Sequence, residues 1–206
     1  MKTEPVMSRL RLSFSAKSGR IQAKKQFGKA EETPVAEKKA LIVIDMQEDY
    51  LREGRKAMFS YNPAELTANV NKAIAQYKAE GCDIIYIRQV FQNIGTNRLF
   101  IGFTIKGTPG AELYEGLDVV SEYVFEKYFS NTFTSKPFRE HVAKAGYTEV
   151  VLCGLDECGC VGATAKGAVK AGLKVTMLTD CIGRRFPEAK VNKMRAKLRK
   201  LGVEYI

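Results

Sequence analysis

Three residues of chemically capable type stand just past short apolar runs. Asp45 follows LIVI, Lys127 ends VVSEYVFEK, and Cys160 lies a few residues beyond EVVLCGL. The thiolate is the reactive form of cysteine, and a helix opening at Cys160 would favour negative charge there through its N-terminal dipole. A lysine ammonium nearby would lower the thiol pKa further. A carboxylate can accept the thiol proton and later donate it to a leaving group. Asp45, Lys127 and Cys160 could thus form a nucleophile, a base and an electrostatic orienter without histidine, of which the chain has one, His141. The GLDECGC turn ahead of Cys160 could supply backbone N–H groups as an oxyanion hole. Each residue also has a plain structural use, as a cap, a solvated charge or core packing. Their shared position on one edge favours the chemical reading.

That edge follows from the elements that must position them. ALIVIDM (40–46) is a continuous apolar run of the kind buried on both faces of a sheet. Asn62-Pro63 opens a helix that runs to about 80 and stops at Gly81. A second strand is expected over 83–91, a long glycine-containing connection over 92–118, and a third strand over 119–127. A helix over 134–145 leads to a fourth strand at 149–155 and a helix at 160–171. A fifth strand at 173–180, a basic helix from Pro187 to about Leu201 and a last strand in VEYI complete the alternation. The pattern predicts an α/β fold, a three-layer α/β/α arrangement with a six-stranded parallel Rossmann-like sheet. In such sheets the ligand lies beyond the carboxyl ends of the strands, near a topological switch point.

The 206 residues fit one domain, and 45% hydrophobic with 27% charged residues is ordinary for a globular protein. No apolar run approaches the ~20 residues of a membrane span, and no secretory signal stands at the N-terminus. The five cysteines, with no such signal, suggest free thiols and a cytoplasmic location, with organelle targeting by residues 1–38 as an alternative. The spacing Cys153-x4-Cys158-x-Cys160 is not a usual metal-ligand pattern. The net charge of +10 first suggests a polyanion partner. By segment, residues 1–37 carry 8 Lys+Arg against 4 acids and residues 182–206 carry 8 against 2, so residues 38–181 are neutral. The excess belongs to a basic, linker-like extension (1–38) and a terminal helix, not to the segment holding the three candidate residues (domain 39–206). Nucleic acid is accordingly not the expected partner.

LIVIDMQEDY (41–50), GTPGAEL (107–113), KYFSNTF (127–133) and GLDECGCVGATAKGAVKAGLKVTMLTDC (154–181) resemble the isochorismatase-like cysteine hydrolases, which include nicotinamidases and N-carbamoylsarcosine amidase. The resemblance covers about residues 39–205. It implies a six-stranded parallel sheet between helices and a catalytic triad of Asp45, Lys127 and Cys160. It also implies an oxyanion hole from the backbone N–H groups of Asp156 and Cys160, with Leu155-Asp156 as the candidate cis peptide. The implied reaction is cleavage of a C–N bond in a small amide or carbamoyl compound through a Cys thioester. One alternative is isochorismate-type vinyl-ether hydrolysis through the Asp. The other is a non-catalytic polyanion-binding protein using the basic termini. Tyr50, Phe129 and Phe133 are candidates to line a substrate pocket, in competition with core packing. The family commonly forms dimers or tetramers, so a homo-oligomer is expected. Two stretches depart from the family pattern: Glu157 and Cys158 replace its usual Thr-Asp or Thr-Asn, and Asn131-Thr132 replaces Ser-Ala. Nicotinamidases hold a metal through an Asp and several His. With no His near Asp49, no metal and no cofactor are expected here.

Overall fold

The computed structural model describes residues 37–206. The basic extension expected over 1–38 lies almost wholly outside them. In chain order the elements are β1 (Lys39–Ile44), α1 (Glu48–Leu51), α2 (Pro63–Ala79), β2 (Asp83–Gln89), α3 (Gly95–Phe100), β3 (Val124–Lys127), α4 (Lys136–Ala145), β4 (Glu149–Gly154), α5 (Cys160–Lys170), β5 (Lys174–Ile182), α6 (Glu188–Lys200) and β6 (Glu204–Tyr205). Short 3-10 turns occupy Pro109–Ala111 and Thr132–Thr134. The six strands form one sheet in the order β3-β2-β1-β4-β5-β6, with every pairing parallel. The direction of winding reverses between β1 and β4, which makes their carboxyl ends the switch point.

Successive residues of a strand point to opposite faces, so an unbroken apolar run serves two cores at once. Leu41 and Val43 pack on one face with Ile84, Tyr86, Val151 and Cys153, and α2 covers them through Leu66, Val70, Ile74 and Tyr77. Ala40, Ile42 and Ile44 pack on the other with Ile85, Ile87, Val150 and Leu152, beneath Phe138 of α4, Val161 and Ala165 of α5 and Leu198 of α6. Each fully buried Leu, Ile or Val contributes ~1.5–3 kcal/mol. The expected start of α2 is seen directly: Asn62 Oδ1 accepts the Glu65 N–H and Pro63 takes the first helical position.

Two expectations on element extent change. The third strand begins at Val124, not 119. Tyr86 of β2 donates its hydroxyl to Asp118 O and accepts the Val120 N–H, and Ser121 Oγ donates to Ile84 O. Side chains thus take the partners that a strand ladder would need. The 92–118 connection contains α3 and the 109–111 turn, and it is tied back by bridges of Phe91 with Ile105 and Gln47 with Leu113. Gly154 has a positional reason. Its φ is 104°, and a Cβ there would meet Ile44 O at 2.1 Å, so only glycine lets β4 end against β1.

Candidate active site

Asp45 follows β1, Gln89 ends β2, Lys127 ends β3 and Cys160 opens α5 beyond β4. These strands are neighbours, so the four residues stand along one carboxyl edge. β3 is two strands from β1, a gap the Lys127 side chain spans by lying across Gln89, its register partner on β2. Its ammonium donates to Asp45 Oδ2 at 2.8 Å, Gln89 Oε1 at 2.7 Å and Cys160 Sγ at 3.2 Å. A lysine has three N–H donors, and all three are used. Lys127 is 0% exposed and Asp45 2%, so the charges meet away from water, where pairing is obligatory. Asp45 is left-handed, with φ 56°, which for a non-glycine residue costs ~1–3 kcal/mol. That turn aims its carboxylate back at the neighbouring strand ends. Among the described residues, the buried Asp45 Oδ1 has no hydrogen-bond partner.

Gln89 was not among the residues expected from sequence, and neither was Gln47, which fixes it. Gln47 is fully buried. Its side chain donates to Gln89 O at 2.9 Å and Ala111 O at 2.7 Å, and accepts the Gln89 N–H at 2.8 Å. A glutamine closing the apolar run IIYI was the available signal for Gln89.

The thiol corrects one expectation. Helix N-terminus and lysine were expected to lower the Cys160 pKa, but it is pushed up to about 12. Burial is the largest cause and the Asp45 carboxylate the next, and together they outweigh Lys127. Burial also acts against the Lys127 charge, but Asp45 and Cys160 overcome it and the net shift is upward. At neutral pH the resting pair is therefore a thiol beside a firmly charged ammonium.

The turn before Cys160 directs its backbone. The Leu155-Asp156 peptide is cis. The Glu157 N–H donates to Gly183 O, that of Cys158 to Asp156 Oδ1 and that of Gly159 to Asp156 O. Among the described residues the N–H groups of Asp156 and Cys160 have no protein acceptor. The Asp156 side chain ties the turn further, accepting the Arg185 N–H at 3.0 Å and the Tyr61 hydroxyl at 3.4 Å on Oδ2.

The isochorismatase domain family model matches residues 39–206. The chain belongs to the isochorismatase family. It is a hydrolase. The isochorismatase family protein YddQ of Bacillus subtilis is 27% identical over 142 residues, 68% of this chain and 75% of that protein. The nicotinamidase/pyrazinamidase of Mycobacterium tuberculosis is 27% identical over 163 residues, 69% and 84% of the two chains. The crystal structure of the pyrazinamidase of Pyrococcus horikoshii in complex with zinc superposes with a TM-score of 0.71 at 24% identity, covering 82% of this chain and 98% of that one. At that identity the likeness is one of fold.

The residues of this isochorismatase-family hydrolase do not fit such a metal. Its one histidine is His141. It is half-buried among Tyr123, Phe125 and Tyr147. Tyr147 in turn donates to Asp83 at the first residue of β2, the sheet end opposite the Asp45–Lys127–Cys160 cluster. Asp49 is taken by Arg52 at 2.8 Å and the Thr104 N–H at 2.7 Å. Among the described residues no three His, Cys, Asp or Glu side chains converge as metal ligands.

The three aromatic candidates part company. Tyr50 is buried edge-on against Phe59 at 4.7 Å. Burial, and then the charge of Asp45, hold its hydroxyl protonated far above the usual range, with a smaller contribution from Cys160, which places it beside the cluster. Phe133 packs edge-to-face on Phe138 at 5.1 Å, inside the core. Phe129 is 69% exposed on the segment after β3. Tyr61, not anticipated, reaches the same neighbourhood through Asp156.

Proposed function

We propose that this hydrolase cleaves the C–N bond of a small amide or carbamoyl compound through a thioester on Cys160. The observation carrying the reading is the Lys127 ammonium held within hydrogen-bond reach of both Asp45 and Cys160. Cys160 Sγ attacks the carbonyl carbon. The S–C bond forms, the carbonyl π pair moves onto oxygen, and the thiol proton passes to Asp45. The oxygen is received by the unpartnered N–H groups of Asp156 and Cys160, fixed donors in a partly dry site. Asp45 delivers its proton to nitrogen as the C–N bond breaks and ammonia or an amine leaves. Water then adds to the thioester with Asp45 as base; as the S–C bond breaks, Asp45 returns that proton to Cys160 Sγ and the acid is released. Lys127 keeps Asp45 oriented and balances the negative charge that passes between carboxylate and sulfur. The raised thiol pKa suits this scheme, since proton transfer accompanies attack and no standing thiolate is needed.

The test is ammonia release across a panel of small amides and carbamoyl compounds, with wild type and Cys160→Ala side by side. Release by wild type and loss in the variant is the expected result. Ammonia release that survives in Cys160→Ala would overturn the thioester.

A further inference from the structure

The turn that carries the two free N–H groups is built around a fully buried acid. Glu157 follows Asp156 directly, precedes Cys160 by three residues and is 0% exposed. An isolated carboxylate there would be strongly unfavourable, and it would stand next to the site where a reacting oxygen becomes negative. Its partner is Arg195 of α6, which grips it with two parallel bonds, Nε to Oε1 at 2.6 Å and Nη2 to Oε2 at 2.9 Å. Two parallel bonds from a planar guanidinium fix direction as well as charge. Arg195 also lies 5.4 Å over the Tyr205 ring of β6, so the clamp joins the turn to the last helix and the last strand. The Glu157 N–H is held as well, by Gly183 O, and its carbonyl lies where a Cβ on Gly162 of α5 would come within 2.4 Å. The carboxylate and the N–H of Glu157 are therefore both held.

We infer that Arg195 and Glu157 are positioning residues for the oxyanion hole: the pair neutralises the carboxylate beside the hole and locks the turn so that the Asp156 and Cys160 N–H groups point at one place. The inference rests on the thioester reading of this same site. It also gives one member of the basic C-terminal segment a defined use. Glu157 is one of the two turn positions at which this chain departs from the family pattern, and Arg195 is what pairs its charge.

The experiment compares wild type with Arg195→Met, Arg195→Lys and Glu157→Gln, each checked by thermal melting and assayed well below its transition. Arg195→Met is expected to lower kcat about 10- to 30-fold with KM within about twofold, as for an interaction made only in the transition state. Arg195→Lys, which restores the cation without the fork, should recover to within about threefold, and Glu157→Gln should lose less than Arg195→Met. A second readout needs no substrate. An aldehyde labelled with carbon-13 at its carbonyl adds reversibly to Cys160: the S–C bond forms, the carbonyl π bond breaks, and the thiol proton ends on the oxygen seated in the hole. The hemithioacetal carbon signal, absent in Cys160→Ala, gives its formation constant. That constant should fall about tenfold in Arg195→Met and recover in Arg195→Lys. Folded Arg195→Met with wild-type kcat and wild-type aldehyde addition would overturn the inference. Should Arg195→Met not fold, a folded Glu157→Gln with wild-type kcat and wild-type aldehyde addition would overturn it. Weakened addition in an Arg195→Met variant whose wild type releases no ammonia would retain the clamp and remove the amide reading.

Discussion

Two buried ion pairs flank Cys160, and they are finished to different degrees. Glu157–Arg195 is closed, with both carboxylate oxygens bonded to one guanidinium. Asp45–Lys127 is open: Lys127 has its three acceptors, but Asp45 Oδ1 has no partner among the described residues. A closed pair has no capacity left for chemistry and can only hold its surroundings. An open pair keeps one oxygen for a proton that has yet to arrive. Burial, which makes an unpaired polar atom costly, is also what makes that spare oxygen informative.

The largest effect should come from removing the nucleophile beside the open pair. Cys160→Ala is expected to reduce amide hydrolysis ~10³-fold or more while the protein melts near the wild-type temperature, read by ammonia release and calorimetry. Asp45→Asn should be nearly as damaging to hydrolysis but opposite in sign for the thiol. Removing the carboxylate removes one cause of the raised pKa, so iodoacetamide should alkylate Cys160 faster at a given pH. Slower alkylation would break the assignment of Asp45 as the charge facing sulfur. Lys127→Met takes away the group that lowers the thiol pKa and leaves Asp45 as an unpaired buried carboxylate. It should slow alkylation and cost ~3–5 kcal/mol in denaturant unfolding, the effect of breaking one partner from a buried pair.

A smaller effect concerns pH. The Cys160 pKa is about 12 folded against 9.0 for the free group, so the folded state holds this proton more tightly. Its contribution to stability is fully present below about pH 9 and is lost as pH rises toward 12. Urea titrations of Cys160→Ala should show a shallower alkaline loss than wild type; an unchanged slope would contradict the burial of the thiol. The smallest effect belongs to a surface pair. Lys136 and Glu140 lie 3.6 Å apart on α4 with both side chains exposed, and Lys136→Ala should leave the melting temperature unchanged within error.

Much of this was legible along the chain because strand, helix and cap signals are local. The run KALIVI must be buried on both faces, and Asn62-Pro63 must start a helix, whatever lies around them. Asp45, Lys127 and Cys160 were legible because all follow strands of one parallel sheet, and parallel strands end on the same edge. Gln47 and Gln89 were not, since their use depends on β3 lying beside β2 and on the Lys127 side chain crossing between them. The truncated third strand was not either, because Tyr86 and Ser121 outbid the ladder only when β2 is alongside.

The sequence by itself determined the alternation of elements, the parallel sheet and the residue types gathered on its carboxyl edge. Only the tertiary structure decided the sign of the Cys160 shift. The local features, a helix start and a lysine, argue for a lowered pKa. Desolvation and the Asp45 carboxylate, brought from the end of β1 more than a hundred residues away, push it up instead. Tertiary structure also decided which basic residue of the C-terminal segment has a buried partner. Charge patterns along a chain count ions, whereas pairing depends on which of them the fold removes from water together, as it does with Arg195 and Glu157.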